Sequence, residues 1–442
     1  MGSVWTEREA AHLLRRAGFA APADDVRASV TLGRKETVRR LVAGQRIADA
    51  GAKAAALAPL EELQADGKPL KADDIGDQQL YWLYRMANTD APLAEKMTLF
   101  WHGHLTSSYR KVKDVAMMVK QNELFRSHAL GNFKELMLVV GQDPAMMLWL
   151  DVNSNRKGKP NENYAREVME LFTLGIGHYT EQDIREAARA FTGWHVDRSS
   201  GEASYQPKQH DNGTKTILGE TGAFDAKGVV DVLFEQKALP QFLARKLLRF
   251  FATDTPSDDW VEAVAADVSA QPTIGGVLEK LFNSDAFYDD AVQQCLVKTP
   301  AEYVAGWMRS LPLPLTRGYN AAMRKMGQEL YMPPNVAGWT GGTSWLLSSW
   351  LLARYQFAES AAFRMNAAAL TSPEFTPADK SSADAWLRQW SDRLGIGQLG
   401  PATSAALAAY AEDTFLHAKQ TNTNGLRGFL HLLMVSPEAQ MK

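Results

Sequence analysis

The sequence predicts a mainly α-helical protein, a multi-helix globular body with a small β-hairpin insert near 194–218. Three observations lead there. Apolar residues recur at i, i+3, i+4 and i+7 through most of the 442 residues, the period of a helix with one buried face. Helix punctuation flanks these stretches: capping residues before them, proline in the first turn, glycine after the last. Only WHVDRSSGEASYQPKQHDNGTKTIL (194–218) alternates as a strand does, with turn signals at Ser199-Ser200-Gly201 and Asn212-Gly213.

The first helix opens at Thr6, with Glu9 at capping-box spacing, and its stripe of Ala10, Leu13, Leu14 and Ala17 stops at Gly18. Helical periods follow at 22–31, 34–43, 77–88, 92–104, 112–129, 132–140, 143–150, 162–174 and 181–192. They resume at 227–236, 239–252, 257–269, 272–283, 299–310, 317–330, 343–364, 382–393, 402–418 and 424–435. The segment 46–76, rich in Ala, Lys and Gly, reads as a crossing, and 366–381 as a polar, proline-containing linker before the C-terminal helices. No period of 20–50 residues repeats, so a solenoid is not expected, and the length allows one large core or two or three smaller ones.

Composition excludes several classes. Hydrophobic residues make up 45% and charged residues 22%, with a net charge of −3, so no basic excess points to nucleic acid. No apolar run reaches 18 residues, which predicts no membrane span. MGSVWTEREAAHLL lacks the cationic and apolar regions of a signal peptide. One cysteine, Cys295, leaves no disulfide framework and no cysteine-based zinc site. Glycines form neither a dinucleotide fingerprint nor a P-loop.

The chemistry concentrates in NENYAREVMELFTLG (161–175). On an α-helical wheel Tyr164, Val168, Leu171 and Phe172 make the stripe, Glu162 and Arg166 face away, and Asn163, Glu167 and Glu170 lie along the border between core and solvent. Two readings stay open. The flank is a solvated face with an Arg166–Glu170 pair, or its partly desolvated carboxylates Glu167 and Glu170 act as acid and base. In the next helix, capped by Thr180 and Asp183, Arg185 and Arg189 share a face that suits either ion pairs or an anionic substrate.

In APLAEKMTLFWHGHLTSS (91–108), His104 continues the stripe of Leu93, Met97, Phe100 and Trp101. Gly103 is placed to end the helix and free His102 and His104, a His-x-His spacing that would hold a divalent metal with Glu167 and Glu170 as carboxylate partners. The alternative is two structural histidines. His210, Asp211 and Lys215 sit in the β-like insert, where Asp211-Asn212-Gly213 also suits an Asx turn. In YMPPNVAGWTGGTSW (331–345), Trp339 and Trp345 suit stacking on a sugar ring or a packing plug.

These segments together resemble one bacterial family, catalogued as domain of unknown function 1800. The resemblance rests on AAHLLRRAGF (10–19), FWHGHLTSS (100–108), NENYAREVMELFTLGIGHYTEQDIREAARAFTGW (161–194), HDNGTKTILG (210–219) and YMPPNVAGW (331–339), in order along nearly the whole chain. Its members carry export signals and neighbour genes for secreted sulfatase-like proteins. The resemblance therefore implies a periplasmic or secreted setting and a sulfatase-like partner, although no signal is visible here.

Two functions are expected. In the first, the chain is an extracytoplasmic hydrolase or transferase acting on a polar polymer or glycan. Glu167, Glu170 and His104 are then catalytic, and Asn163, Asp183, Arg185, Arg189, Trp194, His210, Asp211, Lys215 and Trp339 bind substrate. In the second, it is a binding or assembly module whose polar block is a buried structural network. Convergence of 102–104, 163–170 and 183–189 on an open cleft would favour the first, and a closed core the second.

Overall fold

Helices begin where side chains satisfy their first backbone N–H groups. Thr6 and Glu9 close a capping box on Glu7–Ala17, as do Thr180 with Asp183 on Glu181–Ala190 and Thr299 with Glu302 on Pro300–Ser310. The computed structural model describes residues 5–48, 57–418 and 422–442. The elements are mainly helical, and among the described residues the strands form three two-stranded antiparallel sheets. Among them, no helix is long and apolar enough to cross a membrane.

Most predicted helices lie where the apolar period put them, and the differences have local causes. The helix expected over 112–129 begins at Val115, because Lys113 turns left-handed (φ 56°) and Asp114 caps the next turn through Met117 N–H. The one expected over 317–330 stops at Lys325, two residues before Gly327. The crossing at 46–76 is more ordered than its composition suggests. It contains a short turn at Leu60–Glu62 and a hairpin pairing Gln64–Ala65 with Lys68–Pro69, while 49–56 lie outside the described residues. The linker 366–381 holds the helical turn Ala367–Leu370, capped by Asn366. The insert is two hairpins: Trp194–Asp197 with Glu202–Tyr205, and Lys215–Ile217 with Glu220–Gly222. The second turns at Leu218-Gly219, at the predicted end, so that its last strand lies beyond it, and Asn212-Gly213 forms a loop instead.

The chain, a single family domain by the resemblance above, comprises two compact units, Met1–Lys96 with Phe282–Glu329 and Thr340–Lys442, and Met97–Leu281 with Leu330–Trp339. The first is organised around a buried charge cluster. Glu302 is 1% exposed, and its Oε1 accepts from the ammonium groups of Lys96 and Lys442, the latter at 2.5 Å. Its Oε2 accepts from Thr299 N–H at 2.8 Å. Lys96 also donates to the Gly18 carbonyl at 2.6 Å, at the end of Glu7–Ala17. The two ammonium groups hold the Glu302 carboxyl well below the usual carboxylate range, against the opposing effect of its burial.

In the second unit, the loop 330–339 is fixed against the end of helix Pro92–His104. Tyr331 accepts from Tyr109 N–H at 2.9 Å. Gly338 adopts φ +83°, and a Cβ there would stand 2.4 Å from the Gly103 carbonyl oxygen. The glycine of the FWHGH motif thus meets the glycine of the PPNVAGW motif, a backbone approach that no larger residue at 338 would permit.

Replacing Glu302 by Gln leaves two buried ammonium groups facing a neutral amide. Chemical denaturation is expected to show a loss of about 3–5 kcal/mol.

Candidate functional site

The polar block begins on an irregular helix. Asn163–Glu167 is α-helical, but Val168–Thr173 widens into a π-helix, where Leu174 N–H and Gly175 N–H both reach the Met169 carbonyl at 2.9 and 3.1 Å. An α-helical wheel therefore loses its register beyond Glu167. Val168 and Phe172 are buried as expected, whereas Leu171 is only half-buried.

Glu167 is half-buried, and burial together with the Glu170 charge raises its pKa against the pull of Arg166. Among the described residues it enters no ion pair. Glu170 accepts a short hydrogen bond from the Tyr179 hydroxyl. The Arg166–Glu170 pair does not form. Arg166 grips Glu181 with both terminal nitrogens at 2.8 Å and reaches Glu162 at 3.1 Å, which ties the helix to the start of the next one. Asn163 is exposed and donates to Asp151 at 3.2 Å.

The next helix fixes the insert. Asp183 accepts from Thr180 N–H through Oδ2 at 2.8 Å and from Leu218 N–H through Oδ1 at 2.7 Å, so both oxygens are engaged. Arg189 makes a two-point contact with Asp211 at 2.8 and 3.2 Å and bonds Glu186 at 2.7 Å. This contact pushes the Asp211 carboxyl down to about 2. The Asx turn is present, with Gly213 N–H donating to Asp211 Oδ1 at 2.8 Å. Lys215, 1% exposed, donates to the Asp211 and Gly213 carbonyls. His210 is buried, with Nδ1 at 2.9 Å from the Thr192 carbonyl. Arg185 is exposed and donates to the Glu181 carbonyl at 3.2 Å. Three expected substrate contacts, Asp183, Arg189 and Asp211, thus hold the insert to a helix, and a fourth, Lys215, closes the loop 211–213.

The histidine expectation is corrected. Gly103 does not end the helix, which runs from Pro92 to His104 and carries two rings about 200° apart. His102 is enclosed by Tyr331, Trp339 and Phe125, with ring centroids at 5.8, 5.4 and 6.4 Å. His104 stacks on Phe100 and lies 2.9 Å from the Phe172 carbonyl through Nε2, which carries the proton because a carbonyl only accepts. Burial lowers both rings to about 3, aided at His104 by the Lys246 charge and opposed by the Phe172 bond. Neither can exchange a proton near neutrality. Among the described residues no three His, Cys, Asp or Glu side chains gather as a metal site, so Glu167 and Glu170 do not complete one with these histidines. Trp345 is buried at 2% exposure, which removes it as a sugar platform, and Trp339 is half-buried against His102.

The second unit has a different cavity, of ≈ 290 Å³. Aromatic rings of Tyr164, Phe191, Trp194 and Tyr205 line it, with Gln142, Asp225 and Lys227 among its polar groups. Of the residues singled out from the sequence as site residues, Trp194 alone lines it. Trp194 and Tyr205 are cross-strand partners with ring centroids 5.5 Å apart. Gly193 (φ +101°) makes the pairing possible, since a Cβ there would stand 2.9 Å from the Tyr205 ring. Asn153 braces the same strand, accepting from Val196 N–H at 2.8 Å and donating to its carbonyl at 3.0 Å. Sequence reasoning missed Tyr205, although the hairpin register would have placed it opposite Trp194. It also missed Asp143, a buried helix cap whose carboxyl burial pushes up to about 6; no local pattern marks that.

The depressed histidines set a pH dependence. Below about pH 6.5 the unfolded chain takes up protons that the folded rings refuse until about pH 3, so stability falls on acidification through that window. His104→Gln keeps a donor for the Phe172 carbonyl and does not titrate. Its stability between these pH values is expected to fall less steeply than wild type, by about 1.4 kcal/mol per pH unit, as urea titrations at several pH values would show.

No match was found among curated proteins or among solved structures. The sequence profile of one family does match, over residues 12–441, and the chain therefore belongs to the family described as "Protein of unknown function (DUF1800)".

Proposed function

We propose that the second unit binds a polar ring ligand, such as a sugar unit of a glycan, in the cavity beside Trp194 and Tyr205. The observation that carries this reading is the cavity's wall chemistry. Aromatic faces suit the apolar CH edge of a sugar ring, and Gln142, Asp225 and Lys227 offer hydroxyl partners of both polarities. On this reading the charged block around Arg189 and Asp211 is the frame that holds the hairpin in place. The chain then acts as a glycan-binding or assembly module. Membership in a family associated with exported and sulfatase-like proteins supports a periplasmic or secreted setting with such a protein as partner.

Titration calorimetry with a panel of soluble polysaccharides tests it. Trp194→Ala is expected to weaken the binding roughly tenfold with little change in melting temperature, since Trp194 is only half-buried. A wild-type protein that binds no glycan, or a Trp194→Ala protein that binds as well, removes the reading.

A second reading, hydrolysis or group transfer on the same polymer, is favoured by Glu167, whose raised pKa and lack of an ion pair among the described residues suit a general acid. Reducing-end release from a bound glycan, lost in Glu167→Gln while affinity persists, would support it. Release unchanged in that variant would sink it.

A further inference from the structure

The first unit contains a cavity of ≈ 320 Å³ that no part of the preceding function uses. Its walls come from three helices and a short connection: Glu7, Arg8, Ala11 and Arg15 on Glu7–Ala17, Val26 on Ala23–Leu32, Ser391 at the end of Ala383–Leu394, and Gln293-Gln294.

Arg15 is the unusual member. It is 4% exposed, yet it forms no ion pair among the described residues. Its hydrogen bond to the Gly395 carbonyl is long, at 3.5 Å, and its Nε is buried with no partner. The other two arginines on the walls are already neutralised, Arg8 by Asp290 at 2.8 Å and Arg27 by Asp24 at 2.5 Å. Two carboxylates, Glu7 and Asp392, also line the cavity, but the charges acting on Asp392 are Glu7, Arg27 and Arg388, not Arg15. Burial, with the neighbouring Arg16 and Arg8, lowers the Arg15 pKa to about 10, and no acidic group offsets it. A second unsatisfied polar atom lies in the same wall, the buried hydroxyl of Ser391.

A buried guanidinium without a counter-charge is costly unless something else supplies one. Its planar fork matches the oxygens of a carboxylate or a phosphate. Gln294 adds a further amide to the lining, while Gln293 Nε2 already donates to the Tyr288 carbonyl at 2.8 Å, and the space accommodates a small metabolite but not a polymer. We propose that this cavity binds a small oxyanionic ligand, with its carboxylate or phosphate group on Arg15 and Ser391.

Arg15→Met separates this from a structural role, because it removes the charge while keeping an apolar stem in the helix. The full-length protein, its Arg15→Met and Ser391→Ala variants are each titrated with inorganic phosphate and with malonate, in chloride buffer of matched ionic strength. The readouts are calorimetry and the anion-induced rise in melting temperature. Wild type is expected to bind one of the two anions at one site per chain, and which one identifies the headgroup. Arg15→Met should lose at least roughly tenfold in affinity and Ser391→Ala several-fold. Without anion, Arg15→Met should melt no lower than wild type, since it discards an uncompensated buried charge. Absence of binding by both anions to wild type, or equal binding by wild type and Arg15→Met, overturns the proposal. So does an Arg15→Met protein that fails to fold, unless Ser391→Ala binds the anion several-fold more weakly than wild type.

Discussion

Glu302 is the constraint on which the first unit depends. Carrying a carboxylate into the interior is costly, and only close opposite charge with complete hydrogen bonding offsets it. Here the partners come from positions 96 and 442, and the same carboxylate caps its own helix through Thr299. Lys96 in turn satisfies the carbonyl of Gly18, the residue that caps the end of the first helix. Segments far apart in sequence must be in place together before any of these groups is satisfied. Such a cluster adds little net stability but makes partial assemblies unfavourable, so the unit's elements are secured jointly.

The second unit solves a different problem at its boundary with solvent. Arg166 and Arg189 each bridge carboxylates on separate elements, one joining two helices and the other joining a helix to the hairpin loop. The geometry is two-pronged, the arrangement in which exposed ion pairs contribute most. A segment that looks overloaded with charge is thus largely a set of fasteners. What they hold steady is a strand whose backbone, relieved of a side chain at Gly193, lets Trp194 and Tyr205 meet face to flank at a cavity.

Local features were legible in the sequence. The Pro92 start of a helix, the boxes at Thr6 and Thr180 and the hairpin at Ser199–Gly201 all follow from interactions within a few residues, which a linear reading captures. The family blocks also marked where charged groups gather. The outcome at His102 and His104 was not legible, because Gly103 tolerates either a helix end or a helix interior. Only the loop more than 230 residues later, where Gly338 packs on the Gly103 carbonyl, encloses this end of the helix. The partners of Glu302 and the isolation of Arg15 are equally non-local. The wheel over 161–175 failed for another reason: it assumed a constant 100° step where the chain does not keep one.

That change of step has an evolutionary corollary. A π-turn is an α-helix that has absorbed one surplus residue, and the segment Val168–Thr173 holds its surplus in place with the Thr173 hydroxyl on the Val168 carbonyl at 2.6 Å. Deleting one residue there would restore the regular step and leave the flanking turns near their present orientation, shifting only the carbonyls inside the turn, among them the Phe172 carbonyl that His104 uses. A one-residue gap at this point would therefore act locally, on the seat of His104, and not on the arrangement of the helices that follow.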